Sequence, residues 1–447
     1  MSVRRTAIVV CVALLAVSGC SDDPPPTGDA DVFSNPVALG DGARAAVAVY
    51  GDEAVAVVAE PADDGSTRVV ARNRTGPGQW SPPAAVAQQP FPATSVTAGV
   101  APDGDAVAGW TLLNRGTSAA QVVRRTDGRW GSPFSIPPTQ SAMGSLHATV
   151  GADGVPGVFW GSDAPGMQAS WAYATPRSGR WIAIPLRPTP AGGIAPPARS
   201  PDGRRVAAAW VTRSRIAVFT EGRSRTLPVR MARDAAMNDS TRAAVDDHGV
   251  VAVSAPRRGG AGRVVVRMDP QGPTVVRDIA LRGSAFPFAL PVGIASDGTV
   301  TALAVRQGTA TGASDLVVVR VDAAGRVGAP AVVARRPAAP GLRGVGPLPW
   351  PAATAPGPGG RLTIAWVDER YSADGRSPTA AHVMTRDLLA DGTLTPPVVV
   401  RDAAPAGPVT GVGALTLQPL AKGRLILSWM VHRNRQASTL EVSERPG

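Results

Sequence analysis

Reactive and cross-linking residues are scarce in this chain. The only cysteines, Cys11 and Cys20, lie in the first twenty residues, so the body of the protein has no disulfide to hold it. The fold must rest on its core, and 44% hydrophobic residues supply one. Only His147, His248, His382 and His432 offer imidazole, in separate stretches and without ligand spacing to another metal-binding residue, so no metal or cofactor is expected. There is no Gly-x-Ser-x-Gly elbow, no His-Glu-x-x-His and no phosphate loop ending in Gly-Lys-Ser/Thr, which argues against a serine hydrolase, a zinc enzyme or a nucleotide enzyme. Helix-period patterning is nearly missing as well, and 44 prolines with 50 glycines would break helices.

What is present is a repeat of about 50 residues, the range of solenoids, propellers and arrays. Its first turn recurs eight times, at Gly51-Asp52, Asp103-Gly104, Asp153-Gly154, Asp202-Gly203, Asp247-His248-Gly249, Asp297-Gly298, Gly359-Gly360 and Lys422-Gly423. Apolar runs flank each copy, and Asp-Gly between such runs predicts a two-residue hairpin, because Gly accepts positive φ. A second turn closes seven units, at Gly78, Gly128, Gly179, Gly222, Gly272, Gly325 and Gly392. The missing outer strand is at the other end of the chain, where Asp31-VFSNPVAL matches WSPPAAV after Gln79 and LTPPVVV after Thr393.

These features predict an all-β fold, a β-propeller of four-stranded antiparallel blades closed by an N-terminal strand that completes the last blade. Residues 32–447 divided among eight blades average 52 residues each, near the ~40 to 50 of four-stranded propeller repeats. Seven blades is the nearest alternative, because the fifth unit is weak. Trp110, Trp160, Trp210, Trp366 and Trp429 recur at the end of the second strand, with Trp80, Trp130 and Trp181 just past the outer turn. Large residues in register fill the space between blades; the alternative is an exposed ladder that stacks sugars.

Residues 1–19 carry Arg4 and Arg5, an apolar run from Ala7 to Val17 and small residues, the zones of an export signal. Leu15-Ala16-Val17-Ser18-Gly19-Cys20 resembles the lipobox of bacterial lipoproteins, which implies lipidation at Cys20. Residues 20–31 (CSDDPPPTGDAD) then read as a polar, proline-stiffened tether, leaving 32–447 as a single domain. The expected location is the extracytoplasmic face of the cell membrane, reached through that lipid anchor.

A net charge of +11 invites a nucleic-acid reading, but all but one of the 45 basic residues are Arg, none clusters with aromatics, and 34 acidic residues are interspersed. The charge is read as surface solvation that also favours anionic partners. The longer connections of each blade share one face, and Arg115, Arg213, Arg370 and Arg433 each follow a phased Trp by three to five residues. They are the candidate ligand-binding residues, because a guanidinium fork suits carboxylates, sulfates and phosphates. Asp368, Glu369 and Tyr371 are a weaker catalytic candidate, since a carboxylate beside Tyr can serve glycosidic cleavage. The turn Thr126-Asp127-Gly128-Arg129-Trp130 is similar to the Asp-box of sialidase-type propellers, which implies a four-stranded blade and no activity.

The function expected is a monomeric, non-enzymatic binding module acting through its long-loop face on an anionic polymer, a glycan or an envelope protein. A glycan-processing enzyme and a structural subunit of an envelope assembly are the alternatives.

Overall fold

A computed structural model describes residues 32–42, 44–114, 117–141, 144–150, 154–162, 170–177, 180–187, 194, 196–212, 215–220, 223–230, 241–256, 262–281, 290–307, 313–336, 350–371, 378–403, 411–432 and 438–447. The strands form eight antiparallel sheets, each a meander of neighbouring strands, and the protein is an eight-bladed β-propeller. Cys20 lies outside the described residues. In the eighth sheet the strands Gly411–Pro419, Leu425–His432 and Ser438–Arg445 are joined by Val37–Asp41, which pairs with Ser438–Arg445 as the outer strand.

Both faces of a radial blade pack on neighbours, so its middle strands are apolar throughout instead of alternating. Val206–Val211 is buried at every position. The outer strand of the first two blades is split in two, Gln79–Trp80 with Ala84–Gln89 and Arg129–Trp130 with Phe134–Ser141. Pro82-Pro83 and Pro133 occupy the breaks, where a missing N–H would interrupt the ladder.

The buried hydrophobic residues form eight clusters, each spanning one seam between adjacent blades, including the seam between the last blade and the first. That distribution decides the blade count: the core is a ring of eight joints. The phased tryptophans fill it in a regular way. Trp110, Trp160, Trp210, Trp366 and Trp429 are at most 3% exposed, and each joins the cluster shared with the preceding blade. Trp80, Trp130 and Trp181 pack half-buried against the same kind of cluster. The sugar-stacking ladder is therefore ruled out by burial.

The inner turn Gly51-Asp52, between the paired Tyr50 and Glu53, is the two-residue hairpin expected, and others differ. Gly104 N–H donates to Ala101 O (3.1 Å) while Ala101 N–H donates to Asp105 O (2.7 Å), and Gly249 and Gly298 repeat the pattern. This is a three-residue loop, a type I turn followed by a left-handed glycine. The aspartate carboxylate serves the turn by accepting the N–H two residues on, as in Asp103 to Asp105 (3.0 Å) and Asp297 to Thr299 (2.8 Å). Asp127 and Gly128, at φ 51 and 76 with Thr126 opposite Arg129, make a tight turn with both central residues at positive φ, as do Gly359-Gly360 and Lys422-Gly423.

Candidate functional site: the axial channel and its loop face

Radial blades turn the free edge of every inner strand toward the axis, and those edges carry unpaired peptide groups. The eight inner strands enclose a cavity of about 860 Å³ lined mainly by Ala, Val, Pro, Thr and Leu. Side chains from one inner strand satisfy edge groups of another. Gln418 Nε2 donates to Val47 O (2.7 Å), Arg44 Nε to Thr94 O (2.9 Å), and Ala148 N–H to Thr97 Oγ1 (2.7 Å).

Arg199 does this across the widest gap. It ends the inner strand Ala198–Arg199 of the fourth blade, next to the turn, and its Nη1 donates to Val100 O (2.7 Å) in the second blade and Val49 O (3.3 Å) in the first. Its Nε donates to Gly203 O (2.9 Å), and its Cζ lies 4.5 Å from the centre of the Tyr50 ring. Burial lowers its pKa to about 10, against the attraction of Tyr50 and Asp202. The guanidinium thus closes the turn end of the channel while remaining charged at neutral pH. The cavity wall also includes Arg242 and His147 and, among the described residues, no aspartate or glutamate.

At the opposite end, strand starts and long connections meet. Arg44 and Arg242 begin inner strands there. Arg370 is exposed near the end of Leu362–Tyr371, opposite Ala380. Arg115, Arg213 and Arg433 lie outside the described residues, as does the side chain of Tyr371. Burial and the nearby Arg44 lower the pKa of His432, whose Nδ1 is 2.7 Å from Ser438 Oγ.

Asp368 and Glu369 are successive residues of a strand, so their side chains leave opposite faces of the sheet. Asp368 stands opposite His382, and His382 opposite Asp402, giving a row across three strands with His382 Nδ1 3.0 Å from Asp402 Oδ1. Sequence reasoning left His382 without a partner; the pairing joins residues twenty apart and exists only in the sheet. Because His382 occupies the middle of the row, the two aspartates do not face each other across a gap that would admit a sugar. Among the described residues no three His, Cys, Asp or Glu are placed to hold a metal ion.

No protein-family model and no curated protein matches the chain. Among solved structures it is similar to the Dos1 propeller, at 8% identity over 92% of this chain and 94% of that one, with a TM-score of 0.46. Sqt1 from Chaetomium thermophilum is similar at 13% identity, covering 88% and 94% of the two chains, with a TM-score of 0.46. NanB with Optactamide is similar at 8% identity over 93% and 68%, with a TM-score of 0.40. These likenesses concern the fold and carry nothing about what the chain binds.

Proposed function

We propose that this propeller is a non-enzymatic binding module, held by a lipid on Cys20 at the extracytoplasmic face of the membrane and presenting its long-loop face to a partner. The observation that carries the reading is the placement of Arg44 and Arg242 at the loop end of a channel whose wall, among the described residues, has no aspartate or glutamate. Arg370 adds a cation on the same face, and Arg115, Arg213 and Arg433 are proposed to extend it. Guanidinium groups on a shaped mouth select anionic groups by geometry as well as charge. More than one acyl chain on Cys20 would give firm attachment, at about 0.8 kcal/mol per buried methylene.

The test is a pull-down of the anchored protein from its own envelope, with bound proteins and glycans identified by mass spectrometry. The quadruple variant Arg115→Ala, Arg213→Ala, Arg370→Ala, Arg433→Ala is expected to lose the captured partner, and salt to weaken capture by the parent. Equal capture by parent and variant would remove the arginine face from the account. Loss of palmitate labelling in Cys20→Ala checks the anchor separately.

A further inference from the structure

The axial cavity has the size of a small-molecule site, roughly 300–1,000 Å³, and a one-sided charge. Its wall offers apolar surface from residues such as Leu146, Leu417 and Met430, and among the described residues its charged groups are the arginines Arg199 and Arg242. Arg199 at the turn end is the group that needs explaining. Among the described residues it has no carboxylate within ion-pair distance, and its Nη2 is shielded from solvent with no acceptor. Three carbonyl groups meet the rest of the guanidinium. Carbonyl dipoles do not cancel a full charge, and a desolvated cation without an anion is costly.

Of the other withdrawn arginines, Arg125 also keeps a shielded Nε without an acceptor, whereas two are compensated. Arg74 and Arg445 are each 4% exposed in the side chain, and each meets a carboxylate through two hydrogen bonds. Unlike Arg74 and Arg445, Arg199 faces an open cavity.

We propose that the channel binds a small monocarboxylate with an apolar body, its carboxylate on Arg199 and its body along the inner strands. At the turn end of the cavity one guanidinium, Arg199, calls for one negative charge, Arg242 lying at the loop end. A dianion would leave charge unmatched among apolar side chains. The loop end, away from the Arg199 plug, is the way in. This site is separate from partner recognition by the loop face, and either can fail without the other.

The test is equilibrium dialysis of the full chain in lipid nanodiscs, with empty nanodiscs as the blank. The probes are 4-phenylbutyrate, 4-phenylbutanol and 4-phenylbutylammonium. The carboxylate is expected to bind at least about tenfold more tightly than the alcohol, and the ammonium not to be retained, because like charge repels in a desolvated site. Arg199→Gln should bring the carboxylate down to the level of the alcohol. Arg199 also bridges three blades, so a second variant guards against misfolding. Ala46→Phe, at a half-buried wall position outside the packed clusters, should abolish binding of carboxylate and alcohol with the melting temperature kept. Carboxylate retention no greater than the blank, equal affinity for carboxylate and alcohol, or undiminished binding in a folded variant would each overturn the proposal. Envelope pull-down by Ala46→Phe is expected to be unchanged, which separates this site from the loop face.

Discussion

The seams on either side of the eighth blade and the seam between the third and fourth are built from different chemistry. Between blades three and four, Phe159, Tyr173 and Phe219 stack with centroids 5.0–5.1 Å apart. Trp210, Leu186 and Ile194 complete an apolar joint. Where the two ends of the chain meet, buried ion pairs cross the seams. Arg445 of the last strand grips Asp387 of blade seven (3.0 and 3.1 Å), with Thr363 and Arg361 completing the network. On the other side Arg74 of blade one holds Glu444 (2.8 and 2.9 Å). Within blade eight and its neighbour, Trp429 and Arg401 share Glu441.

At the seam of blades eight and one the difference follows from chain connectivity; blades seven and eight are consecutive, and the Arg445–Asp387 pair there ties the last strand to its neighbour. Blades three and four are consecutive, so a short connection already chooses the neighbour and apolar burial suffices. Residues 74 and 444 are joined only by the whole ring. A buried pair adds little net stability over apolar contact but penalises wrong registers, because an unmatched buried charge is expensive. We take specificity of the last joint to be the role of these pairs.

The largest expected effect breaks the closing joint outright. Deleting residues 31–40 removes most of the outer strand of blade eight, together with Phe33 and the buried Leu39. The loss should exceed about 5 kcal/mol, comparable to the total stability of a domain, and the truncated protein should lack a cooperative melt. A melt like that of the parent would show that the first strand does not hold the ring.

Next come two substitutions that set the seams against each other. Phe219→Ala should cost about 3–5 kcal/mol by leaving a cavity. Asp387→Ala should cost about 3–5 kcal/mol by stranding Arg445 and Arg361. Denaturant titration measures both, and Asp387→Leu combined with Arg445→Met sharpens the contrast. If the pair serves specificity, the double variant should be more stable than either single variant. A double variant that loses the sum of its parts would assign the pair a stabilising role instead.

A smaller effect concerns pH at the loop end. Burial and Arg44 hold the His432 pKa below its ordinary value, near 6.5 in unfolded chains. The unfolded state therefore takes up the proton first as pH falls. The contribution of His432 is complete above about pH 6.5 and is lost as pH falls toward the folded pKa. The parent should lose more melting temperature than His432→Gln between about pH 7.5 and 5.5. Parallel curves would refute the assignment.

The smallest effect lies at the turn end. Asp202 N–H donates to Asp247 Oδ1 (2.8 Å) across the seam of blades four and five. Burial, with the Asp202 and Asp246 carboxylates, raises the Asp247 pKa. Asp247→Asn keeps an oxygen acceptor and removes the like charge. It should stabilise the protein at neutral pH by no more than about 1 kcal/mol, since half-exposed charges are screened. A destabilised variant would mean that the carboxylate charge is itself favourable there.

Much of the fold was legible because its signals are local and periodic. The 50-residue phase of Trp110, Trp160 and Trp210 announced the seams that those residues fill. The match of residues 31–39 to outer strands anticipated the pairing with Ser438–Arg445. The hairpin type was misread because an Asp-Gly pair is compatible with more than one turn, and the preceding residues, Pro102 in one copy and Ser296 in another, extend it by one position. Arg199 was overlooked as a site, yet its signal was present. It stands four residues before the turn glycine, where other units have Val100, Val150, Val245 and Ile294. A cation in an apolar register was the departure that mattered.

The amino-acid sequence by itself determined the strands and the places of their turns, since β-period patterning and positive-φ glycines act within a few residues. The turn types and the choice of eight blades over seven were decided by the structure. Only the tertiary structure decided which side chains converge. Arg199 reaches Val49 and Val100, Arg445 reaches Asp387, and His382 reaches Asp402, because closing the ring brings together edges and faces that the chain separates by 20 to 150 residues.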